Sequence, residues 1–173
     1  MKIFYACLLC SVLFACTGVP KGLEPVKDFD SEKYLGTWYE IARLDHKFER
    51  GLSRVQATYR IRDNGGIEVI NRGYSEDQKQ WQVAKGKAFL NGAENEGRLK
   101  VSFFGPFYGG YNILVLDPDY QYAMVAGPDR NNLWILARTK NLPDKTLQML
   151  IQQAGKWGFA TDELILVSQA AIE

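Results

Sequence analysis

From residue 36 to residue 138 the chain alternates short apolar-rich runs with turn signals. Val55–Ile61 sets Val55, Ala57, Tyr59 and Ile61 against Gln56, Thr58 and Arg60, a period of two that predicts a half-buried strand. Asp63-Asn64-Gly65-Gly66 follows, a hairpin signal whose Asn and Gly residues accept positive φ. Ile67–Tyr74 returns as the next strand. Trp38–Leu44 precedes this hairpin, and a polar stretch, Asp45–Ser53, joins the two as a loop. Trp81–Leu90 and Arg98–Phe104 form a further pair across Asn91–Gly97. Gly109–Leu116 and Tyr120–Ala126 flank the tight turn Asp117-Pro118-Asp119, and Leu133–Arg138 completes a set of eight. Short strands at this regular spacing predict an all-β closed barrel or sandwich. The period changes after Asn141. Lys145–Trp157 places Leu147, Leu150, Ile151 and Ala154 on one face, which predicts an amphipathic helix ending at Gly158. Its stripe suits packing on the barrel wall better than lying on a membrane. Leu164–Val167 is a short last strand.

Eight strands close into a barrel wide enough to be filled by side chains or to hold one small ligand. Small residues fall on one phase of several strands: Ala57, then Val69, Asn71 and Gly73, then Ala84, Gly86 and Ala88. The larger candidates for the inner face are Tyr59, Val101, Phe103, Tyr111, Ile113, Val115, Met124, Leu133 and Ile135. Such a lining is compatible with an apolar cavity and also with a tapering packed core. A cavity lined in this way suits an acyl chain with a polar head.

The N-terminus carries different information. Met1–Ala15 has one charge, Lys2, followed by an apolar run too short to span a bilayer as a mature helix, the pattern of a secretory signal. Leu13-Phe14-Ala15-Cys16 resembles the bacterial lipobox, which implies cleavage before Cys16 and lipidation of that cysteine. Phe14 is bulkier than the residue usual at its position. Thr17 follows where an inner-membrane protein commonly has Asp, so the resemblance implies the outer membrane. A diacylglyceryl group plus an amide-linked chain exceeds the single chain that anchors only marginally. Thr17–Phe29, with Pro20, Gly22 and Pro25, reads as a tether.

Charge and composition narrow the functional classes. Lys plus Arg is 21 and Asp plus Glu is 20, a balance without a basic block that argues against nucleic-acid binding. All three cysteines, Cys7, Cys10 and Cys16, precede the domain, so its fold stands without a disulfide. The Cys7–Cys10 pair lies inside the signal run, where no further ligand accompanies it. No Cys, His and carboxylate set has metal-ligand spacing, so no metal or cofactor is expected. His46, with Asp45 before it and Ser53 after it, offers weak support for a hydrolytic triad and reads as an exposed loop histidine.

Gly36-Thr37-Trp38-Tyr39-Glu40-Ile41-Ala42-Arg43 resembles the G-x-W motif that opens the first strand of lipocalins. Asp117-Pro118-Asp119-Tyr120 resembles their T-D-Y turn, with Pro118 in place of Thr. Arg138 resembles the basic residue of the third motif. The three in this order, with one helix and the lipobox, make the chain similar to a bacterial lipocalin of the outer-membrane lipoprotein kind. The resemblance implies an eight-stranded antiparallel up-and-down β-barrel with a C-terminal helix. Its parts would be a signal peptide over 1–15, a lipidated Cys16 and tether over 16–30, a barrel over 31–168 and a tail over 169–173 for which no role is read.

The family pattern also assigns roles. Gly36, Trp38, Asp117, Tyr120 and Arg138 are structural, Trp38 plugging the closed end with Arg138 across its indole. The inward phase of the strands, and not the family pattern, supplies the ligand-binding candidates Ala57, Tyr59, Val69, Asn71, Gly86, Ala88, Val101, Phe103, Tyr111, Ile113, Met124 and Ile135. Phe103-Phe104-Gly105-Pro106-Phe107-Tyr108 resembles a loop at the open end. The expected role is non-enzymatic binding, storage or transport of a fatty acid or lysophospholipid for membrane maintenance. The membrane is met through Cys16, and a homodimer is permitted. A lipocalin-fold enzyme acting on a lipid or pigment, and an adaptor lipoprotein with a filled barrel, are the alternatives.

Overall fold

The computed structural model describes residues 17–171, so Cys16 and the signal segment lie outside the described residues. Eight strands run up and down: β1 (Gly36–Arg43), β2 (Leu52–Ile61), β3 (Ile67–Ser75), β4 (Gln80–Leu90), β5 (Arg98–Ser102), β6 (Gly109–Leu116), β7 (Tyr122–Ala126) and β8 (Leu133–Ala137). Each pairs antiparallel with its neighbour in sequence, and β1 pairs with both β8 and β2, which closes the barrel. The ladder extends beyond the strictly alternating residues. Thus β2 begins at Leu52, and its register shifts between Ser53 and Gln56 at Arg54, whose φ is 53°.

Two elements depart from expectation. A four-residue helix α1 (Ser31–Tyr34) precedes β1, started by Asp30, whose Oδ1 accepts from the amides of Glu32 and Lys33. Residues 17–30, expected to be a tether, instead lie against the barrel. Asn112 Nδ2 donates to the Gly18 carbonyl at 2.9 Å, and Val26 is held between the Ile113 carbonyl and the Gly97 amide. Pro20 and Pro25 are both buried in this strap. Prolines keep the segment extended and present no amide that the sheet must satisfy.

Alternation sorts the side chains into two apolar clusters. The inner one contains Trp38, Tyr59, Val69, Ala88, Leu99, Ile113, Val125 and Leu136. The outer one joins α2 (Asp144–Lys156), through Leu150 and Ala154, to Ala42, Met124, Ala126, Ile135 and Ala137. The alanines on the strand face let the helix approach closely, so its apolar stripe is covered by the barrel wall. Gly158, with φ 80°, follows the helix in the left-handed region that glycine adopts without penalty.

A ninth strand, β9 (Ile165–Leu166), pairs with β1 at Ala42 and Arg43, where β1 has already parted from β2. The C-terminal tail fills the resulting fork. Gln169 Nε2 donates to the carbonyls of Glu40 on β1 and Val55 on β2, at 2.8 and 2.9 Å. The Arg54 amide donates to the Ser168 carbonyl at 2.7 Å, and Arg54 Nε donates to the Ala170 carbonyl at 2.6 Å. Residues with no role legible in the sequence therefore stitch two strands together.

Candidate binding site

An up-and-down barrel places alternate turns at opposite ends. One end is closed by α1. Tyr34 and Trp38 stack with ring centroids 4.7 Å apart, and Trp38 Nε1 donates to the Tyr34 carbonyl at 2.8 Å. Arg138 covers the indole from outside, with Cζ 4.0 Å from the ring centroid. Its guanidinium also donates to the carbonyls of Lys33, Thr37 and Tyr120. Gly36, at φ 96°, is needed there: a Cβ would stand 3.2 Å from Arg138 Nη1. The Asp117 turn belongs to the same closure. Asp117 Oδ2 accepts from the amides of Asp119 and Gln121, and the Tyr120 hydroxyl accepts from the Asp30 amide. A groove of about 410 Å³ bordered by Lys33, Asp119, Tyr120 and Arg138 lies outside this end.

Above the indole, three phenols meet. Tyr111 Oη lies 2.8 Å from Tyr34 Oη and 2.9 Å from Tyr59 Oη. Burial raises the pKa of all three well above the ordinary phenol value, with mutual repulsion of the phenolate forms adding to the effect for Tyr34 and Tyr111. These side chains form a floor across the barrel.

Toward the open end the inner face becomes small. Ala57 pairs with Asn71, Asn71 with Ala84, and Val69 with Gly86, so these positions share one face across β2, β3 and β4. Ala84 is exposed although it shares that face with buried Ala88. Asn71 Oδ1 is buried with no donor among the described residues. Gly86 does not leave empty volume: a Cβ there would come within 2.8 Å of the Phe103 ring and 2.7 Å of the Ser102 carbonyl.

A polar cluster stands beside this surface under the β1–β2 loop. Arg43, 2% exposed, donates to Glu40 Oε1 at 2.8 Å and to the Glu49 carbonyl at 2.8 Å. Trp134 Nε1 donates to Glu49 Oε2, and His46 Nε2 lies 2.8 Å from the same oxygen. Burial, reinforced by the Glu49 charge, raises the pKa of Glu40 against the opposing pull of Arg43. Burial also acts upward on Glu49, but the hydrogen bond and charge of His46 outweigh it and the net shift is down. The two carboxyls are thus shifted in opposite directions, Glu40 up and Glu49 down.

Tyr59, Val69, Ala88 and Ile113 are buried in the inner cluster, and Ala57, Val101, Phe103 and Tyr111 are half-buried against it. Asn71 and Gly86 share the inner face of β3 and β4. Met124 and Ile135 do not face inward: both belong to the outer cluster under α2. The register shift between Ile113 and Val115 moves β7 out of the phase that simple alternation suggests. His46 is not an exposed loop residue; its ring packs edge-on against Trp134 at 5.2 Å. Nor do Asp45, His46 and Ser53 assemble, since Asp45 pairs with Arg50 and Ser53 Oγ donates to Glu76. Glu40, Arg43, Glu49 and Trp134 were not anticipated. Glu40 sits two residues after Trp38 on a strand, a charged side chain in the buried phase, and that was the available signal.

A family model described as "Lipocalin-like domain" matches residues 29–169. The chain is 55% identical over 150 residues to "Outer membrane lipoprotein Blc" of Citrobacter freundii, covering 87% of this chain and 85% of that protein. It is 51% identical over 164 residues to the protein of the same name in Vibrio cholerae, covering 94% and 96% of the two chains. Mouse "Apolipoprotein D" is 34% identical over 155 residues, 84% of this chain and 80% of the other. Among solved structures, insecticyanin from the tobacco hornworm Manduca sexta superposes with TM-score 0.71 at 20% identity, covering 89% and 88% of the chains, a likeness of fold alone.

Proposed function

Because this chain belongs to the lipocalin family, we propose that it binds a single-chain lipid, a fatty acid or lysophospholipid, with the tail in the open half of the barrel. The observation that carries this reading is the small inner face of Ala57, Asn71 and Ala84 above the phenol floor, with Ala84 exposed. The tail would rest on the phenol floor and along Val101 and Phe103. Asn71 Oδ1, buried with no donor among the described residues, would accept from a hydroxyl or ammonium of the head. Burying about a dozen methylenes at ~0.8 kcal/mol each sets a ceiling near 10 kcal/mol. Immobilisation and desolvation reduce it, which leaves roughly micromolar affinity.

The names of the bacterial relatives support a place at the outer membrane, with Cys16 as the acylated anchor. From there the protein would hold or carry lipids for membrane maintenance. Binding rather than turnover is supported by the separate partners of Asp45, His46 and Ser53. The test is titration of the delipidated full chain with a fluorescent fatty acid. Saturable binding that Ala84→Trp abolishes supports the site. Binding unchanged by Ala84→Trp rejects it.

A further inference from the structure

We propose that the outer wall of β4–β5, with the turn that follows it, is a docking surface for an anionic phospholipid bilayer. Lys85 and Lys87 alternate with the inward Ala84, Gly86 and Ala88, so both point outward, and Lys100 lies beside Phe89 on the same face. Tyr108 folds back onto this wall against Phe89, with Lys87 Nζ and Lys100 Nζ 5.8 and 5.5 Å from its ring centroid. A crevice of about 270 Å³ opens here, lined by Arg62, Glu68, Lys85, Lys87, Ser102 and Phe103. Three cations face one carboxylate in it. Ser102 Oγ is buried beside it with no partner among the described residues. Immediately beyond stand Phe104 and Phe107, 72% and 64% exposed, the apolar counterpart that enters a headgroup boundary.

The N-terminal strap adds a second, independent constraint. The Thr17 carbonyl accepts from Arg98 Nη2 and Asn91 Nδ2, and the Gly18 carbonyl lies over Gly110, the partner of Lys100. Thr17, the first described residue, therefore lies on the same wall as Lys100. An acyl group on Cys16 would draw this wall, and not the α2 side, onto the bilayer. That orientation rests on the anchor reading above; the cation and aromatic patch does not.

The test uses the full-length chain as processed by cells, reconstituted with vesicles of phosphatidylethanolamine and phosphatidylglycerol or of phosphatidylcholine alone. Lysines are labelled with an amine-reactive reagent and read by peptide mass spectrometry. On the anionic vesicles Lys85, Lys87 and Lys100 should react about fivefold more slowly than on the neutral ones, and lose that protection at high salt. Lys145 and Lys156 of α2 should be unaffected, and F104S/F107S should weaken the protection. Retention on both vesicle types with equal lysine reactivity overturns the docking surface while leaving the anchor standing. Retention on anionic vesicles alone, with those lysines protected, supports the surface and rejects the anchor. A chain released from both vesicle types overturns both, whereas binding of the fluorescent fatty acid is measured separately and bears on neither.

Discussion

The Phe103 ring occupies the volume that a side chain at residue 86 would need, its Cδ1 standing 2.8 Å from the position of a Gly86 Cβ. Glycine on β4 thus serves the close approach of a neighbouring aromatic and does not itself create a cavity. Gly86→Trp should destabilise the fold by about 1–3 kcal/mol, the usual cost of overpacking, with a lower denaturant midpoint. Ala84→Trp, one pair closer to the mouth, should leave that midpoint nearly unchanged. Equal midpoints for the two variants would contradict this account of β4.

The closed end predicts a second pair of outcomes. Arg138→Ala removes the cation over Trp38 together with three carbonyl contacts. A loss of about 2–4 kcal/mol in urea unfolding is expected. Arg138→Lys should recover only part, because an ammonium cannot reproduce the planar fork. Fatty-acid affinity should be retained in whatever fraction stays folded, since this end lies beneath the phenol floor.

The phenol floor can be read by alkaline titration. Tyr34, Tyr59 and Tyr111 have folded pKa values raised by burial, so the unfolded chain releases these protons first. Their contribution to stability is complete below the unfolded value, near 10, and is lost as pH rises toward the folded values. Absorbance should show the exposed tyrosines ionising reversibly, and these three only with unfolding. Tyr111→Phe should cost about 1–3 kcal/mol, because it strips the shared partner from two buried hydroxyls.

Removing residues 168–173 should open the fork between β1 and β2. Amide exchange should accelerate at residues 40–42 and 53–56, where Gln169 and Arg54 now hold the strands and tail together. A stability loss of about 1–3 kcal/mol is expected from the hydrogen bonds removed. Unchanged exchange at both strands would show the tail to be dispensable.

The strands were legible because each carries its own period and its own turn, as Val55–Ile61 and Gly65-Gly66 illustrate. The inner surface was legible only in part. Register errors flip whole faces, and the shift between Ile113 and Val115 put Met124 and Ile135 on the wrong side. Gly86 read as space because its occupant, Phe103, comes from another strand, a tertiary contact that no local pattern encodes. His46 read as exposed for a similar reason: its partners, Glu49 and Trp134, meet only when the barrel closes. The 17–30 segment read as a tether because Pro and Gly mark irregular backbone without saying what it lies against.

The most direct measurement is native mass spectrometry of the full chain isolated from its own membrane, with lipid identification, beside the Ala84→Trp variant prepared in the same way. One single-chain lipid per wild-type chain and none on the variant is expected, with both proteins equally stable. Wild-type protein that carries no lipid and takes up none when offered fatty acid or lysophospholipid would contradict that expectation.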